Sequence, residues 1–285
     1  MRFKNIRIYF YIALGLGLAV RFFQYFYTMD FVTGFFKPDY KSIGIILVAV
    51  VFAISLSMAA VCFLVRRCPI KLPHVGHTAG SFALLNAIAI LIDIATLHNG
   101  VNVPVWQGML LKITGALAAV FFGAIFVKCL KNYKIPSLCF AAPVLYYLTK
   151  LIYSFTASSV LALISDHIYT LVAEIFTVLF MLEFALLANN LGGELGYKKI
   201  AATGFTAVIL SAISSLPPIV TYLANRSLAV RVDFSSEFVM LTTACFIYCF
   251  LRRHFSGRNL KRRHKHIKHR SHLSDDKKSD NFYMG

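Results

Sequence analysis

Apolar residues in this chain neither alternate nor confine themselves to one helical stripe. They run on unbroken. Eight such runs lie near 7–27, 43–65, 80–97, 104–127, 137–156, 168–189, 200–223 and 236–251, parted by short polar stretches. A membrane-spanning helix needs about 20 apolar residues. Six runs reach that length and two, 80–97 and 236–251, fall just short of it. Spanning β-strands would alternate in segments of about ten residues. These runs do not, and a lipid-embedded backbone must bond within itself. The pattern predicts an all-α, polytopic transmembrane bundle of about eight spans.

Lys and Arg in the short loops orient such a bundle. They cluster at the N-terminus (Arg2, Lys4, Arg7), after the second run (Arg66, Arg67, Lys71), after the fourth (Lys128, Lys131, Lys134) and after the sixth (Lys198, Lys199). The other four loops are poorer in them. Both termini are therefore expected in the cytoplasm. The cysteines agree: Cys62, Cys68, Cys129, Cys139, Cys245 and Cys249 all fall at or near cytoplasmic helix ends, where disulfides are not expected. The first run follows MRFKNIR as a signal peptide would. It lacks a small-residue cleavage pattern, so it reads as an uncleaved first helix.

The bundle is expected over residues 1–251, followed by a basic tail, 252–285, with almost nothing apolar to bury. Disorder is the default for such a composition. Eleven Lys and Arg between Arg252 and Lys278 suit contact with anionic lipid headgroups. Nucleic acid is not an expected partner, because no base-stacking aromatics interleave the basic run.

Polar interruptions of the apolar runs carry the functional information, since ionisable groups inside a membrane are costly. Arg21, Asp93, Lys150 and Glu174 are expected about 8–11 Å below the outer helix ends, and Lys112 about 12 Å. That puts five charges on five helices at one level. Side chains lean toward the N-terminus of their helix. Arg21, Asp93 and Lys150 therefore lean deeper into the membrane and cannot easily snorkel outward. Lys112 and Glu174 lean outward, but Lys112 shares a face with Gly108, Gly115 and Ala119, small residues that mark helix contact. All five are expected to face the bundle, with Arg21 meeting Asp93 or Glu174. Pro217 and Pro218 fall at the same level, where a broken helix would line a cavity. Glu183 lies deeper and faces the opposite way.

Overall composition adds little beyond class. The chain is 58% hydrophobic, with 26 Phe and a formal charge of +17; soluble domains are about 45–50% apolar. No HExxH, GxSxG or P-loop pattern is present, so no catalytic residue, metal site or cofactor is nominated. The segment RFFQYFYTMDFVTGFF, residues 21–36, resembles the first-helix region of uncharacterised multi-span integral membrane proteins of Gram-positive, clostridial-type bacteria. That resemblance implies a bacterial plasma membrane and brings no activity with it.

These readings lead to one functional expectation: an inner-membrane protein that binds or passes a small polar or anionic solute through a polar cavity in its outer half. Arg21, Asp93, Lys112, Lys150 and Glu174 would form the site. The alternative is a non-catalytic scaffold or regulator whose basic tail binds lipid or a partner. An intramembrane enzyme ranks third.

Overall fold

The computed structural model describes residues 3–30, 36–64, 75–97, 103–131, 135–158, 165–191, 193–224 and 233–254. Among them are eight long helices: α1 (Phe3–Phe23), α2 (Lys41–Phe63), α3 (His77–Thr96), α4 (Val105–Lys131), α5 (Ala141–Ser158), α6 (Ser165–Ala188), α7 (Gly193–Ala224) and α8 (Phe234–His254). All eight apolar runs are helices long and apolar enough to cross a membrane. A π-helical turn, Gln24–Thr28, extends α1. Short 3₁₀ turns, Pro38–Tyr40 and Ser137–Phe140, lead into α2 and α5.

The largest boundary difference is in α7. The apolar run begins at 200, yet the helix begins at Gly193 and takes in residues 193–196, GELG, which read as a loop. The reversal is made just before it: Asn190 has φ 60° and Gly193 φ 53°. Left-handed backbone of this kind ends helices and favours Asn and Gly. Beyond it Tyr197 is buried, so the first turns of α7 are held by packing and not by lipid.

Eight crossings return the C-terminal end of the bundle to the side of its N-terminus. The opposite end, where α1 passes to α2, α3 to α4, α5 to α6 and α7 to α8, is the distal end. Helices α3 to α8 each pack on the next, and α8 returns to α3. Six helices thus close a ring in chain order. The α1–α2 pair docks outside it, against α7. Burial agrees: 72% of the most apolar window of α7 is buried, against 28% for α1 and 22% for α2. Small residues permit close approach. A Cβ on Gly115 of α4 would come within 2.6 Å of Ile94 of α3, so glycine sets the spacing of that pair.

The two halves of the ring differ in chemistry. Aromatic rings fill the half near the termini: Phe184 lies 5.1 Å from Phe250 and 5.6 Å from Phe140, and Phe122 lies 5.4 Å from Phe246. The distal half holds the buried charges. The eighth helix runs on to His254, slightly past the expected domain end at 251; the remainder of the basic tail lies outside the described residues.

Two sequence expectations are corrected at this level. Pro217 and Pro218 do not break α7, which is continuous through both. Proline φ suits a helix, and the cost falls on the carbonyls four residues back, Ile213 and Ser214, which lose their donors. Nearby hydroxyls bond other carbonyls of the same stretch. Ser215 donates to the Ser211 carbonyl at 2.6 Å, and Thr221 to that of Pro217 at 3.0 Å.

Lys112 is the other correction, since it is exposed. Gly108, Gly115 and Ala119 are buried, but the contact stripe of α4 centres on Leu111 and Phe122. Lys112 sits about 100° around the helix from that centre, beyond its edge. Its exposed neighbours are Met109 and Ile113. Leaning toward the distal end, it is free to run to the headgroups.

Candidate functional site

Two side-chain sets, one around Asp93 and one around Arg21, make up the polar layer of the distal half. Asp93 and Lys150 come from α3 and α5, which both flank α4 in the ring, and meet in its interior. Lys150 Nζ lies 3.2 Å from Asp93 Oδ2, with both side chains nearly inaccessible. Tyr146, one turn before Lys150, donates to the same oxygen at 3.3 Å. Ser235 of α8 lies 2.8 Å from Asp93 Oδ1 and 2.8 Å from Asp233 Oδ1. Its single proton serves one carboxylate at a time. This set therefore links a buried ion pair to an exposed aspartate at the distal end.

About 10 Å nearer the termini, one further face-repeat along α3, lies Asn86. Its Oδ1 accepts from Thr242 at 2.9 Å and Thr243 at 3.0 Å, and its Nδ2 donates to the Tyr147 hydroxyl at 3.3 Å. Tyr147 is itself 2.5 Å from Thr243 Oγ1. The side-chain amide has partners on both its atoms.

Arg21 lies at the end of α1 and is 0% exposed. It donates to Gln24 Oε1 at 2.8 Å. Its guanidinium stands 4.4 Å from the ring centre of Tyr169 and 5.5 Å from that of Tyr25. A desolvated cation over an aromatic face is stabilised by about 2 kcal/mol. The Tyr169 hydroxyl donates to the same Gln24 oxygen at 3.0 Å, and Gln24 Nε2 donates to the Gly44 carbonyl of α2 at 3.0 Å. The π-helical turn brings Gln24, Tyr25 and Thr28 inward together; π-turns recur at functional sites.

The pairing expected for Arg21 is thereby corrected. Asp93 is taken by Lys150, and Glu174 Oε1 accepts from Ser154 at 3.0 Å. Helix order explains it. Helix α1 docks outside the ring on α7, so its arginine enters beside α6 and α8 and not beside α3. An acidic residue within its electrostatic reach is Glu237 of α8.

Glu237 was not nominated from the sequence. It sits at the edge of the eighth apolar run, where a carboxylate ordinarily reaches water. The residue is half-buried, but its Oε2 is sealed from solvent. Glu237 Oε2 and Glu174 Oε2 accept no hydrogen bond among the described residues. Tyr169 was also missed, because a tyrosine near a helix end reads as an interfacial anchor.

Among the described residues, five acidic and basic side chains thus converge on the layer, one each from α1, α3, α5, α6 and α8: Arg21, Asp93, Lys150, Glu174 and Glu237. Glu183 stands apart, near the termini, 3.8 Å from Lys199. Among the described residues, no cluster of three or more His, Cys, Asp and Glu is placed to hold a metal ion, and five cysteines are free thiols. Cys68 and His98 lie outside the described residues.

With Lys112 removed and Glu237 added, carboxyl groups outnumber cations three to two, the reverse of the sequence count. The layer offers hydrogen-bond acceptors and one cation held against tyrosine faces. No known protein family, curated protein or solved structure proved similar to the chain.

Proposed function

We propose that this chain is a bacterial inner-membrane protein that binds a small polar solute in the distal half of its bundle and passes it across the membrane. Both termini are cytoplasmic in this reading, so the distal layer opens outward. The basic tail lies on anionic headgroups. The observation that carries the reading is the convergence of Arg21, Asp93, Lys150, Glu174 and Glu237 from five helices at one depth. Ionisable side chains buried at membrane depth are costly and are a default sign of function. Lys112 no longer supports a purely anionic solute. Unsatisfied oxygens on Glu174 and Glu237 favour one that carries hydrogen-bond donors or a positive group.

A second reading has its own support. The Asp93–Lys150–Tyr146 set and the Asn86–Tyr147–Thr243 set are well hydrogen-bonded, as a scaffold needs. Water access separates the two. In a background without native cysteines, Ser154→Cys and Ser235→Cys should both react with a membrane-impermeant thiol reagent added outside cells. Reaction at 235 alone would leave the layer dry and favour the scaffold. Orientation has its own check: cysteines at Gly100 and Ser159 should label from outside, and those at Lys131 and Lys198 from inside.

A further inference from the structure

We propose that Glu174 is a proton-binding site: a neutral carboxylic acid, exchangeable with water through the distal end, that ionises when a donor-bearing solute arrives. The role of the solute rests on the function proposed above; the bound proton does not.

Charge balance in the layer leads to Glu174. Asp93 has the ammonium of Lys150 at 3.2 Å and donors from Tyr146 and Ser235. It is the anion of a well-made pair. Glu237 lies in the first turn of α8, where the helix dipole favours negative charge; it is half-buried where Glu174 is fully buried, and both Lys150 and Arg21 are within its electrostatic reach. Those assignments leave two cations matched by two anions. The fifth group is Glu174.

The surroundings of Glu174 offer an anion almost nothing. It lies in the interior of α6, away from any helix terminus, and is 0% exposed. Ser154 supplies one hydrogen bond to Oε1; Oε2 receives none among the described residues. An unpaired buried carboxylate is far more costly than a buried neutral acid. The charged and titratable groups facing it are Lys150 and Tyr146 of α5, Asp93 of α3 and Glu237 of α8. Lys150 is already committed to Asp93. Beside it, Ala173 packs against Leu210 of α7 and Met240 of α8, so the wall on that side is apolar.

The exchange is simple to balance. When an ammonium or similar donor group enters, the Glu174 O–H bond breaks. The proton passes to water at the distal end, and the carboxylate pairs with the arriving cation. The layer keeps its net charge, which lets a charged solute enter without a large penalty.

Infrared spectroscopy of the purified, full-length protein tests this without any solute. Wild type at neutral pH should show the C=O stretch of a buried neutral carboxylic acid, shifted in D₂O. Glu174→Gln should abolish that band, while Asp93→Asn and Glu237→Gln should retain it. Raising the pH should remove it from wild type, which keeps the test valid even if a variant folds poorly. No such band in wild type, or a band that survives Glu174→Gln, overturns the assignment. A band lost in Glu237→Gln alone would also overturn it, by moving the proton to α8. The thiol-labelling outcome is separate: a dry layer with the band present ends the transport reading and the exchange through the distal end, and leaves only the neutral acid at Glu174 standing.

Discussion

Lys150 Nζ and Asp93 Oδ2, 3.2 Å apart, tie α5 to α3 across a ring in which those two helices are not neighbours. Truncating either partner strands the other in low dielectric, at a cost of about 3–5 kcal/mol. Lys150→Met and Asp93→Asn should each destabilise by that order. The double variant should lose less than the sum, with a coupling of about 0.5–3 kcal/mol. A double-mutant cycle in bicelles measures it; strict additivity would mean that the two charges do not meet in the membrane.

Lys112 should behave in the opposite way. It is exposed on α4 beside Met109 and Ile113. Lys112→Leu should be neutral or stabilising in the same unfolding assay, because a lipid-facing cation is replaced by an apolar side chain. A loss comparable to that of Lys150→Met would return Lys112 to the bundle interior.

Much of this was legible in the run pattern. All eight helices follow from apolar length, because a membrane leaves the backbone no other choice. Burial of Arg21, Asp93 and Lys150 followed from the direction in which each helix leans its side chains. Lys112 failed because small neighbours mark a contact face without marking its edge, and about 100° of helix separates the two. Glu237 failed because depth at the end of a run is uncertain by a turn. Partner choice failed for a deeper reason. Whether Asp93 meets Arg21 or Lys150 depends on which helices are adjacent, and nothing in hydropathy orders a ring.

The continuity of α7 makes a distinct prediction. If Pro217 and Pro218 served to break the helix and open a site, restoring their N–H groups would abolish function. In the continuous helix, Pro217→Ala with Pro218→Ala returns donors to Ile213 and Ser214, and a helix-interior proline costs about 3 kcal/mol or more. The double variant should fold and be at least as stable as wild type. Lowered stability would show that packing around the prolines has adapted to a bend.

Truncation after residue 256 should leave the bundle folded, since the residues beyond it carry little to bury. Binding to anionic liposomes should fall in that variant, and salt should erase the difference from wild type. Loss of the folded bundle would make the tail structural.

Arg21 gives the sharpest test, because its stacking on Tyr169 and its charge pairing can be probed separately. Tyr169→Phe keeps the ring under the guanidinium and removes only the hydroxyl donated to Gln24, a loss of about 1 kcal/mol. Tyr169→Leu also removes the ring and should cost about 2 kcal/mol more. Arg21→Lys keeps the charge but not the planar stacking group, so it should be measurably worse than wild type. Arg21→Leu removes the cation and takes one of two compensating charges from Glu237. Rescue then identifies the acidic partner. Glu237→Gln should recover part of the Arg21→Leu loss, whereas Asp93→Asn should add its own loss, since it breaks a pair that Arg21 does not share. The cycle is read as unfolding free energy in bicelles. Rescue by Asp93→Asn and none by Glu237→Gln would place Arg21 inside the ring beside α3 and would reverse the assignment of α1 to its outer side.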